Sequence, residues 1–386
     1  MRIVIDKNIP LAASAFKNLG DLVLLDTREI NSMTAKDAEI LVIRSETKVG
    51  RELLEGSRIR FVATATIGTD HIDLPYLESQ GIGFANAPGS NANSVKEYVL
   101  AALLVLSRRS GFTLRGKTLG VVGVGNIGSK VVKMACALGL TVLQNDPPLA
   151  RKTGRPQFLS LDELMSADIV TLHVPLTGIG VDATYHLFDG RCIDAMKPGS
   201  ILINTARGAV VETSALKDAL RRGHLSAAVI DVWEGEPSID AELIKLASLG
   251  TAHIAGYSMD GKVNAVRMIR EAVCGFLADT STWDPCGELP PPETTHIHLD
   301  ESGGLEEMLH AAVRQGYDIE LDDRQLRGIL DIRTEKRVPY FMKLRSRYRV
   351  RREFSSVRVE VPPGLESMRD VIDAVGFQQS RGGRDS

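Results

Sequence analysis

The sequence predicts an α/β protein built from two doubly wound parallel-sheet domains, the second spliced into the first, followed by a small α+β module. Three observations predict it. From the start of the chain, short β-rich runs alternate with helical stretches, the pattern of parallel strands joined by crossover helices. A second such series opens at "KTLGVVGVGNIG", where a strand breaks into a glycine turn and starts a helix well inside the chain. After "CGELPPPE" the composition shifts, and its three prolines suit a stiff linker. At 386 residues the chain exceeds one ordinary core, and at roughly 150 residues per domain it should hold two or three.

Taken in order, "RIVID", "LVLL", "ILVIR" and "RFVATAT" are the strands of the first sheet. The segment "APGSNANSVKEYVLAALLVLS" follows, where Ser94 and Glu97 have the spacing of a capping box and the run after them is apolar on nearly every side. It predicts a buried helix at the passage between domains. The second sheet continues through "TVLQND", "ADIVTLHVP", "GSILINTARG", "SAAVIDVW" and "GTAHIAGYS", apolar throughout as a sheet buried on both faces should be. An amphipathic helix from Met259 to about Asp279 returns to the first domain. The C-terminal module reads as strand "HIHL", a helix with Leu305, Met308, Leu309, Ala312 and Val313 at helical spacing, a helix around "YFMKLRSRYRVRRE", strand "SVRVEV" and a last helix. The expected boundaries are 1–97 with 259–285 for the first domain, 98–258 for the second, 286–380 for the module, and a disordered tail over 381–386.

Bulk composition excludes several classes. A 44% apolar fraction, 25% charged residues and a net charge of −3 describe a globular chain with no general attraction to nucleic acid or anionic lipid. "MRIVIDKNIP" lacks the apolar centre of a secretion signal, and the longest apolar run, "YVLAALLVL", is about half the ~20 residues a membrane span needs. Cys136, Cys192, Cys274 and Cys286 are scattered, with no paired spacing and no clustered histidines, so neither a metal site nor a disulfide framework is expected and a reducing cytoplasm is. The basic run "KLRSRYRVRRE" invites a nucleic-acid reading, but the acidic stretches "DIELDD" and "DESGGLEE" in the same module favour a helix face paired in a dimer or bathed in solvent.

The glycine turn carries the first chemistry. Gly123 permits the tight turn, Gly125 lets backbone approach a pyrophosphate, and Gly128 brings helix close to strand, while the helix N-terminus offers N–H donors to the phosphates. Asp146 closes the next strand, placed to accept hydrogen bonds from a ribose diol and to repel a 2′-phosphate. NAD is therefore expected rather than NADP; Arg151, Lys152 and Arg155 nearby read as a solvated loop.

Three stretches at strand ends each bring a useful side chain: Arg207 in "NTARGAVVE", Glu236 in "DVWEGEP" and His253 in "AHIAGY". Reaction at a carbon bearing oxygen needs a proton carrier matched to neutral pH, a carboxylate to favour its charged form, and a guanidinium for a carboxylate or carbonyl. Singly, each has a structural alternative: a strand-end ion-pair partner, a turn residue before Pro237, a satisfied core histidine.

The order GVGNIG, Asp146, NTARG, DVWEGEP, HIAGY resembles the D-isomer-specific 2-hydroxyacid dehydrogenase family. That resemblance implies a flavodoxin-like substrate domain with an inserted Rossmann NAD domain, and it assigns catalysis to Arg207, Glu236 and His253. It aligns Asn126, Ile127, Asp146, Thr205, Ala206, Asp231 and Gly256 with cofactor contacts, and Val174 with a position that is often threonine, where a backbone contact survives the loss of a hydroxyl. Ser45, Thr66 and Tyr257 correspond to substrate contacts, with backbone around Ile67 and Gly68 helping to hold the carboxylate. "RSETKV", "TATIGTDHID", "APGSNA", "NDPP" and "REFSSVRV" extend the likeness over almost the whole chain, toward the members that oxidise 4-phospho-D-erythronate at C2 with NAD on the route to pyridoxal phosphate. In those members the C-terminal module serves homodimerisation. A phosphorylated substrate also needs a cation, and Arg44 or Lys48 beside Ser45 are the candidates, solvated surface charge being the alternative. Two other readings stay open: a different D-2-hydroxy acid, such as 3-phosphoglycerate or glyoxylate, and an NAD-sensing corepressor-like protein without turnover.

Overall fold

The computed structural model describes residues 1–299 and 303–380, so the tail expected over 381–386 lies outside the described residues. The chain divides into two compact units, one formed by 1–91 with 258–291 and the other by 92–257 with 292–386.

The first unit is a five-stranded parallel sheet of β1 (Arg2–Asp6), β2 (Asp21–Leu25), β3 (Ile40–Ile43), β4 (Phe61–Thr64) and β5 (Gly83–Ala85), in the order β2-β1-β3-β4-β5. That is the flavodoxin-like order. Because side chains alternate along a strand, Ile3, Ile5, Ile40, Val42 and Ala63 enter one core and Val4, Leu41, Ile43 and Val62 the other, which makes these strands read as unbroken apolar runs. The Met259–Leu277 helix seals the first of these cores with Ala265, Val266, Ile269 and Val273. The loops after β3 and β4 carry Arg44–Lys48 and Ala65–Asp70.

The second unit holds a six-stranded parallel sheet, β6 (Thr118–Val122), β7 (Thr141–Asn145), β8 (Ile169–Leu172), β9 (Ser200–Asn204), β10 (Leu225–Ile230) and β11 (Leu249–Gly250), ordered β11-β10-β9-β8-β6-β7. A single parallel bridge from Gln144 to Phe158 supplies the stub of a further strand beyond β7, so the order follows the dinucleotide-binding fold with its reversal between β6 and β8. After Pro292 the chain adds a three-stranded parallel sheet of β12 (His296–His298), β13 (Arg358–Glu360) and β14 (Gln378–Gln379) with helices Leu305–Gly316, Ile319–Arg327, Thr334–Ser346 and Glu366–Val375. Met308, Leu309, Ala312, Val313, Phe354 and Ile372 share one core with the Ala92–Ser110 helix and a face of the larger sheet.

Two local expectations are corrected. The Ala92–Ser110 helix begins two residues before Ser94, so Ser94 and Glu97 do not cap it. Ser94 Oγ instead donates to Glu353 at 2.7 Å, and Glu97 pairs with Arg351 Nη2 at 3.0 Å while accepting Phe354 N–H at 2.8 Å. The basic run is likewise no helix face along its length. Its helix ends at Ser346, because Arg349 turns to Asp322, and Arg351 to Glu97, inside the chain itself.

Candidate active site

Every site residue on the second unit stands at or beyond the carboxyl end of a parallel strand, where open sheets leave a crevice for ligands. After β6, Gly123 adopts φ +85°, and a β-carbon there would lie 2.8 Å from the His173 carbonyl. Gly128 is packed still closer, its would-be β-carbon 2.0 Å from Gly123 O. Gly125, by contrast, faces open space, and Asn126 beside it is exposed. No side chain caps the Gly128–Ala137 helix at Ile127; Ser129 N–H and Lys130 N–H already donate to Gly125 O and Ile127 O at 3.1 and 3.0 Å, so the positive helix end beside the open Gly125 turn is what it offers an anion. These residues fit the pyrophosphate of a dinucleotide. Asp146 follows β7 with Oδ2 accepting Val124 N–H at 2.8 Å and Oδ1 accepting Leu149 N–H at 2.9 Å, so it fastens the glycine loop to the start of the Pro147–Thr153 helix.

After β8, His173 is held by Thr171 at 3.0 Å and Thr205 at 3.3 Å, and burial drives its pKa down to about 3, so it stays neutral. Val174 packs against Gly123. After β9, Ala206 N–H donates to Asn204 Oδ1 and Asn204 Nδ2 to Arg207 O, each at 3.0 Å, fixing the extended backbone that presents Arg207. Arg207 Nη1 donates to Ala206 O at 2.8 Å. At Gly208 a β-carbon would sit 2.0 Å from the Trp233 carbonyl carbon, so the loop bearing Arg207 and the loop bearing Glu236 touch backbone to backbone.

The "DVWEGEP" loop holds two glutamates with different fates. Glu234 is spent on His186 at 2.5 Å and on Thr213 N–H at 3.0 Å. Glu236 Oε1 meets His253 Nδ1 at 2.5 Å. Burial opposes the Glu236 carboxylate, but the His253 hydrogen bond and charge, with Arg345 behind them, outweigh it and hold the carboxyl below its ordinary range. With Nδ1 engaged, Nε2 is the proton-carrying atom left to His253. His253 itself sits at φ +55°, a conformation few non-glycine residues keep without support. Asp231 gives that support: its buried carboxylate accepts Thr251 Oγ1, Ile254 N–H and Ala255 N–H at 2.6, 2.7 and 3.0 Å, and its backbone carbonyl accepts His253 N–H at 2.8 Å. Gly256 and Tyr257 follow, both half-buried.

On the first unit, Ser45 and Lys48 are exposed in the loop after β3. Arg44 donates from Nε to Asp6 at 3.1 Å and from Nη2 to Thr27 at 3.0 Å, so part of its charge is already balanced. Thr66 Oγ1 bonds Gly68 O at 2.9 Å, and Asn86 Nδ2 bonds Ile67 O at 2.7 Å, an anchor for this loop that no motif announced. Lys262, also unannounced, has its charge disfavoured first by burial and then by Arg44. Among the described residues no cluster of histidine, cysteine and carboxylate side chains is disposed to hold a metal ion, and no helix is long and apolar enough to cross a membrane.

The chain is similar to several known proteins. Residues 94–255 match the family model of the D-isomer specific 2-hydroxyacid dehydrogenase NAD binding domain, and residues 288–376 match a domain of unknown function. The erythronate-4-phosphate dehydrogenase of Chromohalobacter salexigens is 44% identical over 98% of both chains. That of Salinibacter ruber is 45% identical over 92% of both. Among solved structures, D-lactate dehydrogenase from Aquifex aeolicus, complexed with NAD and lactic acid, is 28% identical with a TM-score of 0.60, over 72% of this chain and 95% of that one.

Proposed function

This chain belongs to the D-isomer-specific 2-hydroxyacid dehydrogenase family, and from that membership we propose how its residues carry out the NAD-dependent oxidation of 4-phospho-D-erythronate to (R)-3-hydroxy-2-oxo-4-phosphobutanoate in pyridoxal phosphate formation. The observation that carries the assignment of roles is the 2.5 Å contact between His253 and Glu236 on the loop pressed against Arg207.

His253 takes the C2 hydroxyl proton at Nε2, and the imidazolium so formed is favoured by the Glu236 carboxylate on Nδ1. Arg207 binds the substrate carboxylate and stabilises the C2 oxygen as it becomes a carbonyl. Ser45, Thr66 and Tyr257 orient the substrate, and Arg44 meets its phosphate. NAD, when bound, supplies the acceptor for the C2 hydride. Gly123, Gly125, Asn126, Ile127 and Gly128 would hold its pyrophosphate and Asp146 its ribose, with Val174, Thr205, Ala206, Asp231 and Gly256 as further cofactor contacts.

The same reading makes the enzyme a cytoplasmic homodimer assembled through the C-terminal module. Four unpaired thiols suit a reducing compartment. Val338 and Met342, one turn apart on the Thr334–Ser346 helix, and Val350 after it are exposed apolar side chains that suit a subunit contact. Light scattering on the purified chain tests the dimer.

The reaction is tested by following NADH formation with 4-phospho-D-erythronate, 3-phosphoglycerate and glycerate, each with and without a 2-oxo acid as second substrate. Preference for the first supports the assignment. Preference for another acid overturns the substrate, and silence on all of them overturns the enzymatic role.

A further inference from the structure

Arg345 lies in the last turn of the Thr334–Ser346 helix, yet it reaches the catalytic motifs. Its Nη2 meets the Tyr257 hydroxyl at 3.4 Å, the long limit of a hydrogen bond, and its guanidinium stands 5.8 Å from the centre of the Tyr257 ring. Its charge is felt at Glu236.

What separates Arg345 from the other arginines of the basic run is that, among the described residues, it is half-buried and yet lacks a counter-ion, whereas Arg347, which has none either, is exposed to water. Arg349 pairs with Asp322 and Arg351 with Glu97, whereas Arg345 has no carboxylate within ion-pairing distance among the described residues. Its Nε is buried with no hydrogen-bond partner. An unmatched guanidinium, partly withdrawn from water beside a catalytic glutamate, is costly unless an anion completes it. In the reaction proposed above, Arg207 is taken by the substrate carboxylate. A phosphate ester carries close to two negative charges at neutral pH, and Arg44 is partly balanced by Asp6. A planar fork of N–H donors suits two phosphate oxygens better than a point charge does.

We infer that Arg345 is a phosphate-recognition residue: its guanidinium, seated against Tyr257, binds the substrate phosphate, so that the C-terminal module supplies a specificity determinant of the active site. The inference rests on the proposed reaction and names the group that selects phosphorylated over unphosphorylated acids.

The test compares Arg345→Met and Arg345→Lys with wild type on 4-phospho-D-erythronate and on D-erythronate, at saturating NAD, with NAD affinity measured by fluorescence as a check on folding. Arg345→Met should lower the preference for the phosphorylated acid at least tenfold, mainly through KM, and should abolish competitive inhibition by inorganic phosphate. Arg345→Lys should recover part of both. Equal losses on the two substrates, or an unchanged KM with phosphate inhibition intact, overturn the inference. Should wild type itself fail to oxidise 4-phospho-D-erythronate, the proposed reaction fails, and Arg345 is then judged by calorimetry with inorganic phosphate: equal affinity in wild type and Arg345→Met overturns the phosphate site. If Arg345→Met does not fold, Arg345→Lys with the same two readouts decides.

Discussion

Arg351 and Glu97 form an ion pair with 3.0 Å between Nη2 and Oε2, and neither side chain is more than 2% exposed. The pair joins the basic run of the C-terminal module to the second turn of the Ala92–Ser110 helix, and Arg351 also covers the Tyr317 ring at 3.8 Å. Removing one partner strands a buried charge, so Arg351→Met should cost about 3–5 kcal/mol in chemical denaturation. Replacing both, as Glu97→Leu with Arg351→Met, should recover part of that loss.

The same pair makes stability depend on pH. Burial, aided by Glu353 and opposed by Arg351, pushes the Glu97 carboxyl up to about 7 from an ordinary value of 4.5. A raised carboxyl binds more protons in the folded chain than in the unfolded one. Its favourable contribution is therefore complete below about 4.5 and lost as pH rises through about 7. Thermal unfolding across that window should show this decline in wild type and a flatter profile in Glu97→Gln.

Catalysis should fail in graded steps. His253→Ala removes the proton carrier and should lower kcat by roughly 100- to 10,000-fold with NAD affinity retained. Glu236→Gln keeps the contact but loses the charge, for a smaller drop on the order of 10- to 100-fold. Since the Glu236 carboxyl is held below 4.5, its charge and the stability tied to it persist above that value and disappear only as pH falls through the lower folded value. In steady-state pH profiles of kcat/KM, the loss due to Glu236 should therefore appear only on the acid side of 4.5.

Gly208→Ala should be more damaging than its size suggests. The added methyl meets the Trp233–Glu234 peptide, which belongs to the loop of Glu236. Overpacking of this kind costs about 1–3 kcal/mol, and here the shift moves Arg207 relative to Glu236. Both the unfolding midpoint and kcat should fall, with NAD binding less affected.

Asp146→Ala should raise the KM for NAD and narrow the preference over NADP, because the carboxylate that excludes a 2′-phosphate is gone. It also frees Val124 N–H and caps the Pro147–Thr153 helix no longer, so a stability loss of about 1 kcal/mol should accompany the kinetic change. Parallel titrations with the two cofactors and a melting curve separate the effects.

Much of this was legible in the letters. Four strands of the first sheet and the longer strands of the second announce themselves as apolar runs, and the glycine turn, Asp146 and the triad stand in short motifs, whereas β5, three half-buried residues, gives no such signal. What stayed hidden depends on partners far apart in the chain. Ser94 and Glu97 have capping-box spacing, but their partners lie 259 and 254 residues away, and buried ionic bonds override the local signal. The family resemblance implies a cofactor contact for Asp231, yet its carboxylate is bonded to the loop that bends His253 to positive φ, a duty visible only once Thr251, Ile254 and Ala255 surround it. Arg345 looked like one more cation in a charged run; its burial without a counter-ion is what distinguishes it.

The split composition of the first unit also bears on how the chain is made. Its five strands are complete by Ala85, but the Met259–Leu277 helix that covers one face of their sheet is synthesised only after the whole of 92–257. At about 5–20 residues per second, the interval from Asn91 to Leu277 lasts roughly 10–40 seconds, during which Ile3, Ile5, Phe16 and Val42 lack their cover on the ribosome. The nascent sheet therefore passes through a window in which its uncovered face invites aggregation, and the chain's yield in a cell should respond to translation speed more than its final stability would suggest.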